Sequence, residues 1–383
     1  MQLFFRRLNR NLSNRHIIIN VTNDDYILAT VVQHEPNQAS VIILDDKKYN
    51  NSGFRDGVIS HYENAKKDVV EILYDLSQHA LMSKYSSDFL GKTFVDFVIP
   101  DKYNVSCLRH QTFLVDAIDI TDDYLKSIKD DILQGVMNEN PGKIVLYSVV
   151  CNWELDGNFI MNPVGLKGNV LKCYMHCILI DSTIQTNFEN LLSERNLILN
   201  TICPKVCLDV ATYVNNFSSR TMLLSVDQRI TTLAVIIDND IVFCDKINIG
   251  FQHIVQDVVK VLGVTVKQAI SYIAEYGCDD NADIKLDNDK VDVKQLHQVI
   301  HARICELMMI IKKQYVGNMM DVERICLLNI KIDGIERCVE QIFDDVEVMS
   351  LCQQKYNQRL LLNNVSNNVQ EHFFSRLISF IYN

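Results

Sequence analysis

The chain has 383 residues, enough for two or three domains at roughly 150 residues each. Its 48% hydrophobic and 22% charged residues can fill a core, and only 13 Gly and 5 Pro exclude collagen-like and proline-rich architectures. A net charge of −11 repels phosphate backbones and argues against non-specific nucleic-acid binding, and no apolar run reaches the roughly 18 residues of a spanning helix.

Residues 1–15 read as a basic arm, with Arg6, Arg7, Arg10 and Arg15 and no acid before Asp24. Its apolar part is too short for a signal-peptide core, and it suits a disordered arm or a weak contact with anionic lipid. Strands follow at about 16–21, 26–32 and 40–44. Past Gly53 and Gly57, Ser60 with Glu63 reads as a capping box, opening a helix striped by Ala65, Val69, Ile72, Leu73, Leu76 and Ala80. Next come strands at 94–99 and about 105–115, a helix from Thr121, and strands near 143–154 and 169–180. A helix then opens on a second capping box, Ser182 with Gln185.

The second half restates the scheme. Strands are predicted at 222–226, 233–237 and 241–247, and helices at about 252–262 and 266–276. The latter has Thr265 and Gln268 as its box and Gly277 beyond its end. A helix over 293–313, a strand at 324–328 and a helix after Asp333 complete the set. Three antiparallel strands followed by helices, stated twice, predict an α/β duplication. After an Asn-rich linker at 361–368, residues 369–383 place Val369, Phe373, Phe374, Leu377, Ile378 and Ile381 at helical spacing. An apolar face at the end of a chain suits an interfacial membrane helix as well as a docked terminal one.

The twelve cysteines form no CxxC pair. Cys173 and Cys177 lie four apart on a predicted strand, about 13 Å from one another, too far to bond or share a metal. Reduced thiols in a reducing compartment are expected, and zinc is not. His297 and His301 stand i,i+4 on a predicted helix, where a solvated face is expected rather than half of a metal site. No Gly-x-Ser-x-Gly elbow occurs, and the acid clusters Asp279–Asp283 and Asp287–Asp289 lack EF-hand spacing.

Three stretches carry a resemblance. Met161-Asn-Pro-Val-Gly-Leu-Lys-Gly168, Ile247-Asn-Ile-Gly-Phe-Gln-His-Ile-Val-Gln-Asp-Val258 and Val299-Ile-His-Ala-Arg303-Ile-Cys-Glu-Leu307 resemble, in order and spacing, motifs of the bacterial cell-division protein family FtsA. Gly53-Phe-Arg-Asp-Gly57-Val, Ile120-Thr-Asp-Asp and the tail Phe373-Phe-Ser-Arg-Leu-Ile-Ser-Phe-Ile381 are similar to further segments of that family. The resemblance implies an actin-like, two-lobed duplicated α/β fold of the actin/Hsp70 superfamily. Subdomain 1A would take 16–93 and 181–205, an inserted 1C 94–180, 2A 206–245 and 315–360, and 2B 246–314.

It also implies a job at the cytoplasmic face of the inner membrane, at the division septum. The protein would tether FtsZ, self-associate into filaments and recruit later divisome proteins. Arg303 would meet the FtsZ C-terminal tail, and Phe373, Phe374, Arg376, Leu377, Ile378, Phe380 and Ile381 would enter the bilayer surface. ATP with Mg²⁺ is the cofactor the family implies, cradled by glycine-rich turns where a Cβ would obstruct phosphate. Here the first turn, Asn20–Tyr26, has no Gly. The second reads Ser225-Val-Asp-Gln-Arg-Ile-Thr-Thr232, without the family's three, and the adenosine turn reads Asn329-Ile-Lys-Ile-Asp-Gly334, without a Gly-Gly pair. Thr231 and Gly334 are the remaining candidates for nucleotide contact. A degenerate pocket without ATPase activity is therefore expected. The alternatives are an active actin-like ATPase and the pilus-assembly relative of the family, a membrane adaptor.

Overall fold

The computed structural model describes residues 15–351 apart from 23–24, 35–40, 79–93, 117–118, 194–196, 214–216, 218–219, 279–291, 315–321, 331 and 344–345. Residues 1–14 of the basic arm, Ala80, the acid clusters after Cys278, the 361–368 linker and the 369–383 segment lie outside the described residues, whereas Arg15, assigned by sequence to the arm, opens the first strand. No described helix is long and apolar enough to cross a membrane. The chain divides into two compact units, with the boundary between Thr212 and Tyr213.

In the first unit, β1 (Arg15–Asn20), β2 (Tyr26–His34) and β3 (Val41–Asn50) precede a small hairpin of β4 (Phe54–Arg55) and β5 (Val58–Ile59), then α1 (Tyr62–Gln78). β6 (Phe94–Ile99), β7 (Val105–Leu114), α2 (Asp122–Glu139), β8 (Lys143–Leu155), β9 (Asn158–Ile160), β10 (Val170–Asp181), α3 (Ser182–Ser193), β11 (Ile198–Pro204) and α4 (Lys205–Tyr213) follow. The second unit holds β12 (Arg220–Val226), β13 (Thr231–Ile237), β14 (Asp240–Ile247), α5 (Phe251–Leu262), α6 (Val266–Tyr276), α7 (Val293–Gln314), β15 (Arg324–Leu328), α8 (Ile335–Glu340) and β16 (Glu347–Leu351).

The duplication is visible in the sheets. One has the order β3-β2-β1-β6-β11, the other β14-β13-β12-β15-β16. In each, three antiparallel strands are extended by two strands parallel to the first of them. Apolar residues at every second position of the strands meet apolar helix stripes in both units. In the first, Ile17, Ile19, Phe97, Val69, Ile72 and Leu76 are buried, with Phe97 and Phe188 rings stacked at 4.1 Å. In the second, Leu224, Leu233, Ile304 and Met308 share one core.

A third sheet, β7-β10-β8-β9, belongs to the first unit and packs Cys173, Met175, Cys177 and Leu179 of β10 against Ile128, Ile132 and Val136 of α2. Burial pushes the Cys173 and Cys177 thiols up to about 12.

Several local readings need correction. Ser60 Oγ donates to the Gly53 carbonyl and α1 begins only at Tyr62, so the anticipated box is not used. Gln185 donates to Glu189, and α3 continues directly from β10. The Thr265 box is made as expected, with the Gln268 N–H on Thr265 Oγ1 and the Thr265 N–H on Gln268 Oε1. His297 is buried, not solvated. Its Nε2 lies 3.1 Å from the Tyr276 carbonyl, one of the orphan acceptors at the end of α6, so that nitrogen carries the proton.

Candidate functional site

The β12–β13 hairpin closes at Asp227–Ile230, where the Asp227 N–H donates to the Ile230 carbonyl. None of its four residues has a positive φ, so the turn forms without glycine. The first turn of α5 sits directly on it. The Phe251 N–H donates to the Asp227 carbonyl (2.9 Å) and the Gln252 N–H to the Gln228 carbonyl (2.8 Å). Gly250, the N-cap, permits this approach: a Cβ there would fall 2.4 Å from the Asp227 oxygen. His253 Nδ1 accepts the Gly250 N–H (3.0 Å).

Thr231 lies in β13 rather than in a loop. It is fully buried and donates through Oγ1 to the Ile249 carbonyl (2.7 Å), which fastens the strand to the entry of α5. Asn329, just past β15, takes a left-handed conformation (φ 61) that Asn tolerates. Its amide reaches Ser225 Oγ at 2.8 Å and Asp227 Oδ1 at 3.5 Å. Gly334, at φ 81, caps the start of α8. Asn329 thus ties the end of β15 to Ser225 and Asp227. Sequence reasoning missed Asn329, whose signal is an Asn directly after an apolar strand.

Main-chain carbonyls of this turn are committed within the unit. Two turn carbonyls take N–H groups from the positive end of α5, the place an anion would need. The Asp227 carboxylate adds a repelling charge. The turn's cation, Arg229, donates through Nε to Gln252 Oε1 at 3.4 Å. In the first unit, the Asn20 carboxamide accepts from both the N–H and the hydroxyl of Thr22.

Arg303 stands on α7, partly exposed. Its Nε and Nη2 reach Asp257 Oδ2 of α5 at 2.7 and 2.6 Å, and Nη1 reaches Glu306 Oε2 at 2.6 Å. It therefore bolts α7 to the helix that rests on the Asp227 turn. Phe373, Phe374, Arg376, Leu377, Ile378, Phe380 and Ile381 lie outside the described residues.

Other motif residues have local architectural duties. Asn162 Oδ1 accepts the Val164 N–H, and Gly165, at φ 77, donates its N–H to the Ile120 carbonyl ahead of α2. A Cβ on Gly53 would fall 1.9 Å from the Ala65 nitrogen of α1.

No family model matches the chain, and no curated protein does. Among solved structures it is similar to the "PilM-PilN type IV pilus biogenesis complex" at 9% identity and TM-score 0.59, covering 97% of this chain and 99% of that one. The fold is actin-like. Further actin-like neighbours are MreB5 of Spiroplasma citri bound to ADP, at 11% identity, TM-score 0.47 and coverage of 97% and 98%, and the ethanolamine utilization protein EutJ of Carboxydothermus hydrogenoformans, at 10% identity, TM-score 0.44 and coverage of 89% and 86%. At such identities the likeness is one of fold. It extends to the PilM structure and does not single out FtsA among actin-like proteins.

Proposed function

We propose that this chain is a non-catalytic actin-fold adaptor at the cytoplasmic face of a membrane, holding a partner protein instead of turning over nucleotide. The observation that carries the reading is the Asp227–Ile230 turn, built without glycine and hydrogen-bonded onto the start of α5. Phosphoryl transfer depends on positioned donors and metal, and the polar groups gathered at this turn are engaged with one another. The end-to-end likeness to the PilM structure supports a pilus-assembly partner of the PilN kind.

A second reading, the FtsZ tether, is favoured by the colinear motifs and by the helix that bears Arg303. In either case the 369–383 segment would supply the membrane contact. One short amphipathic helix binds marginally, so self-association would multiply the anchors.

The test mixes the purified full chain, anionic liposomes and either FtsZ or the PilN-type protein of the same source, without nucleotide, and measures what sediments. Recruitment of the PilN-type protein alone supports the first reading, and recruitment of FtsZ alone replaces it with the second. Separately, a low-micromolar affinity for Mg-ATP would overturn the non-catalytic assignment.

A further inference from the structure

Three thiols gather in the second unit. Cys278 follows Gly277, the residue that ends α6, and Cys338 stands on α8. Their sulfurs are 3.5 Å apart although 60 positions separate them in sequence. One oxygen holds Cys278 twice: its N–H donates to the Asp333 carbonyl at 2.8 Å and its thiol reaches the same oxygen at 3.4 Å. Gly277, at φ 59, lies so close that a Cβ would fall 2.4 Å from that oxygen. Both cysteines are nearly buried, at 6% and 3% exposure.

The third thiol, Cys305 on α7, is partly exposed and lies 3.5 Å from His301 Nδ1. Burial and the nearby Cys338 push it up. Among the described residues no three His, Cys, Asp or Glu are placed to hold a metal, so ligation does not account for the cluster. Apolar packing alone would be served as well by Ala or Val. Two sulfurs in van der Waals contact, one of them fixed by its backbone, are a short side-chain adjustment from a bond.

We infer that Cys278 and Cys338 form an oxidation site that closes reversibly to a disulfide, with a small peroxide as oxidant. One thiolate attacks a peroxide oxygen, the O–O bond breaks, and a sulfenic acid and a hydroxide result. The second thiolate attacks the sulfenic sulfur, the S–S bond forms, and the other hydroxide leaves. With the two thiol protons, two thiols and one hydrogen peroxide give one disulfide and two waters. The bond ties the end of α6 to α8 and, through Asp333, fixes the Asn329–Gly334 segment against the rest of the unit.

The experiment treats the full-length native protein with hydrogen peroxide in modest excess, then denatures, alkylates and maps the peptides by mass spectrometry. The expected product is a linked pair carrying Cys278 and Cys338, two hydrogens lighter than the separate peptides and parted by dithiothreitol. A cross-link over 60 positions should raise the thermal unfolding of the second unit by roughly 5–10 °C. Recovery of both cysteines alkylated, or a Cys305–Cys338 link in place of the expected one, overturns the assignment. Cys278→Ser should abolish the link, and the wild-type map decides the matter if that variant fails to fold.

Discussion

Gly250 is the residue on which the candidate site turns. Gly250→Ala would drive a Cβ into the Asp227 carbonyl and should cost about 2 kcal/mol of stability, read as a lower denaturant midpoint at unchanged slope. Arg303 carries the sharper functional question, since its guanidinium joins two carboxylates across two helices. Arg303→Ala should cost about 1 kcal/mol by chemical denaturation, the worth of a partly exposed ion-pair network. If the variant keeps wild-type partner recruitment per folded molecule, Arg303 is a positioning residue; selective loss of FtsZ sedimentation would favour the tether. The thiols make a third case. With Cys173 and Cys177 held up at about 12, iodoacetamide at mildly alkaline pH should alkylate the partly exposed Cys107, Cys151 and Cys305 well before them, as peptide mapping of short exposures would show.

At the scale of elements, long periodic segments were legible and local chemistry was less so. The Thr265 box was readable because both its partners lie within one turn. Thr265→Ala should lower stability by about 1 kcal/mol, measurable as a fall in the melting temperature. The boxes at Ser60 and Ser182 matched the same pattern, but Ser60 turns back to the Gly53 carbonyl and Gln185 bonds along its own helix to Glu189. β11, α4 and β16 were not foreseen. In β11 the polar Asn200 looks like an interruption, yet its amide donates to Asp96 of the neighbouring strand at 2.5 Å. Lys205 and Asp209 look like an exposed helical pair, yet they form a buried ion pair at 2.7 Å, and the Val206 N–H donates to the Asp101 carboxylate. Partners distant in sequence, such as Asp96 and Asp101, leave no trace in local periodicity. The loss of turn glycines was plain in sequence, whereas the seating of that turn on α5 was not.

For the whole molecule, the doubled arrangement of strands was readable because each half repeats the same order of apolar runs. Removal of 369–383 should abolish sedimentation with anionic liposomes while leaving the circular dichroism melt of the remainder in place; retained sedimentation would move the membrane contact elsewhere. One strand has a mechanical consequence. β10 gives Cys173 to Leu179 to the core over α2, and its next residue, Ile180, to the core that holds Phe97 and Phe188. No linker intervenes between the two cores at that end of the β7-β10-β8-β9 sheet. A partner pulling on the β7-β10-β8-β9 sheet would pass its load straight down β10 into the core of the five-stranded sheet.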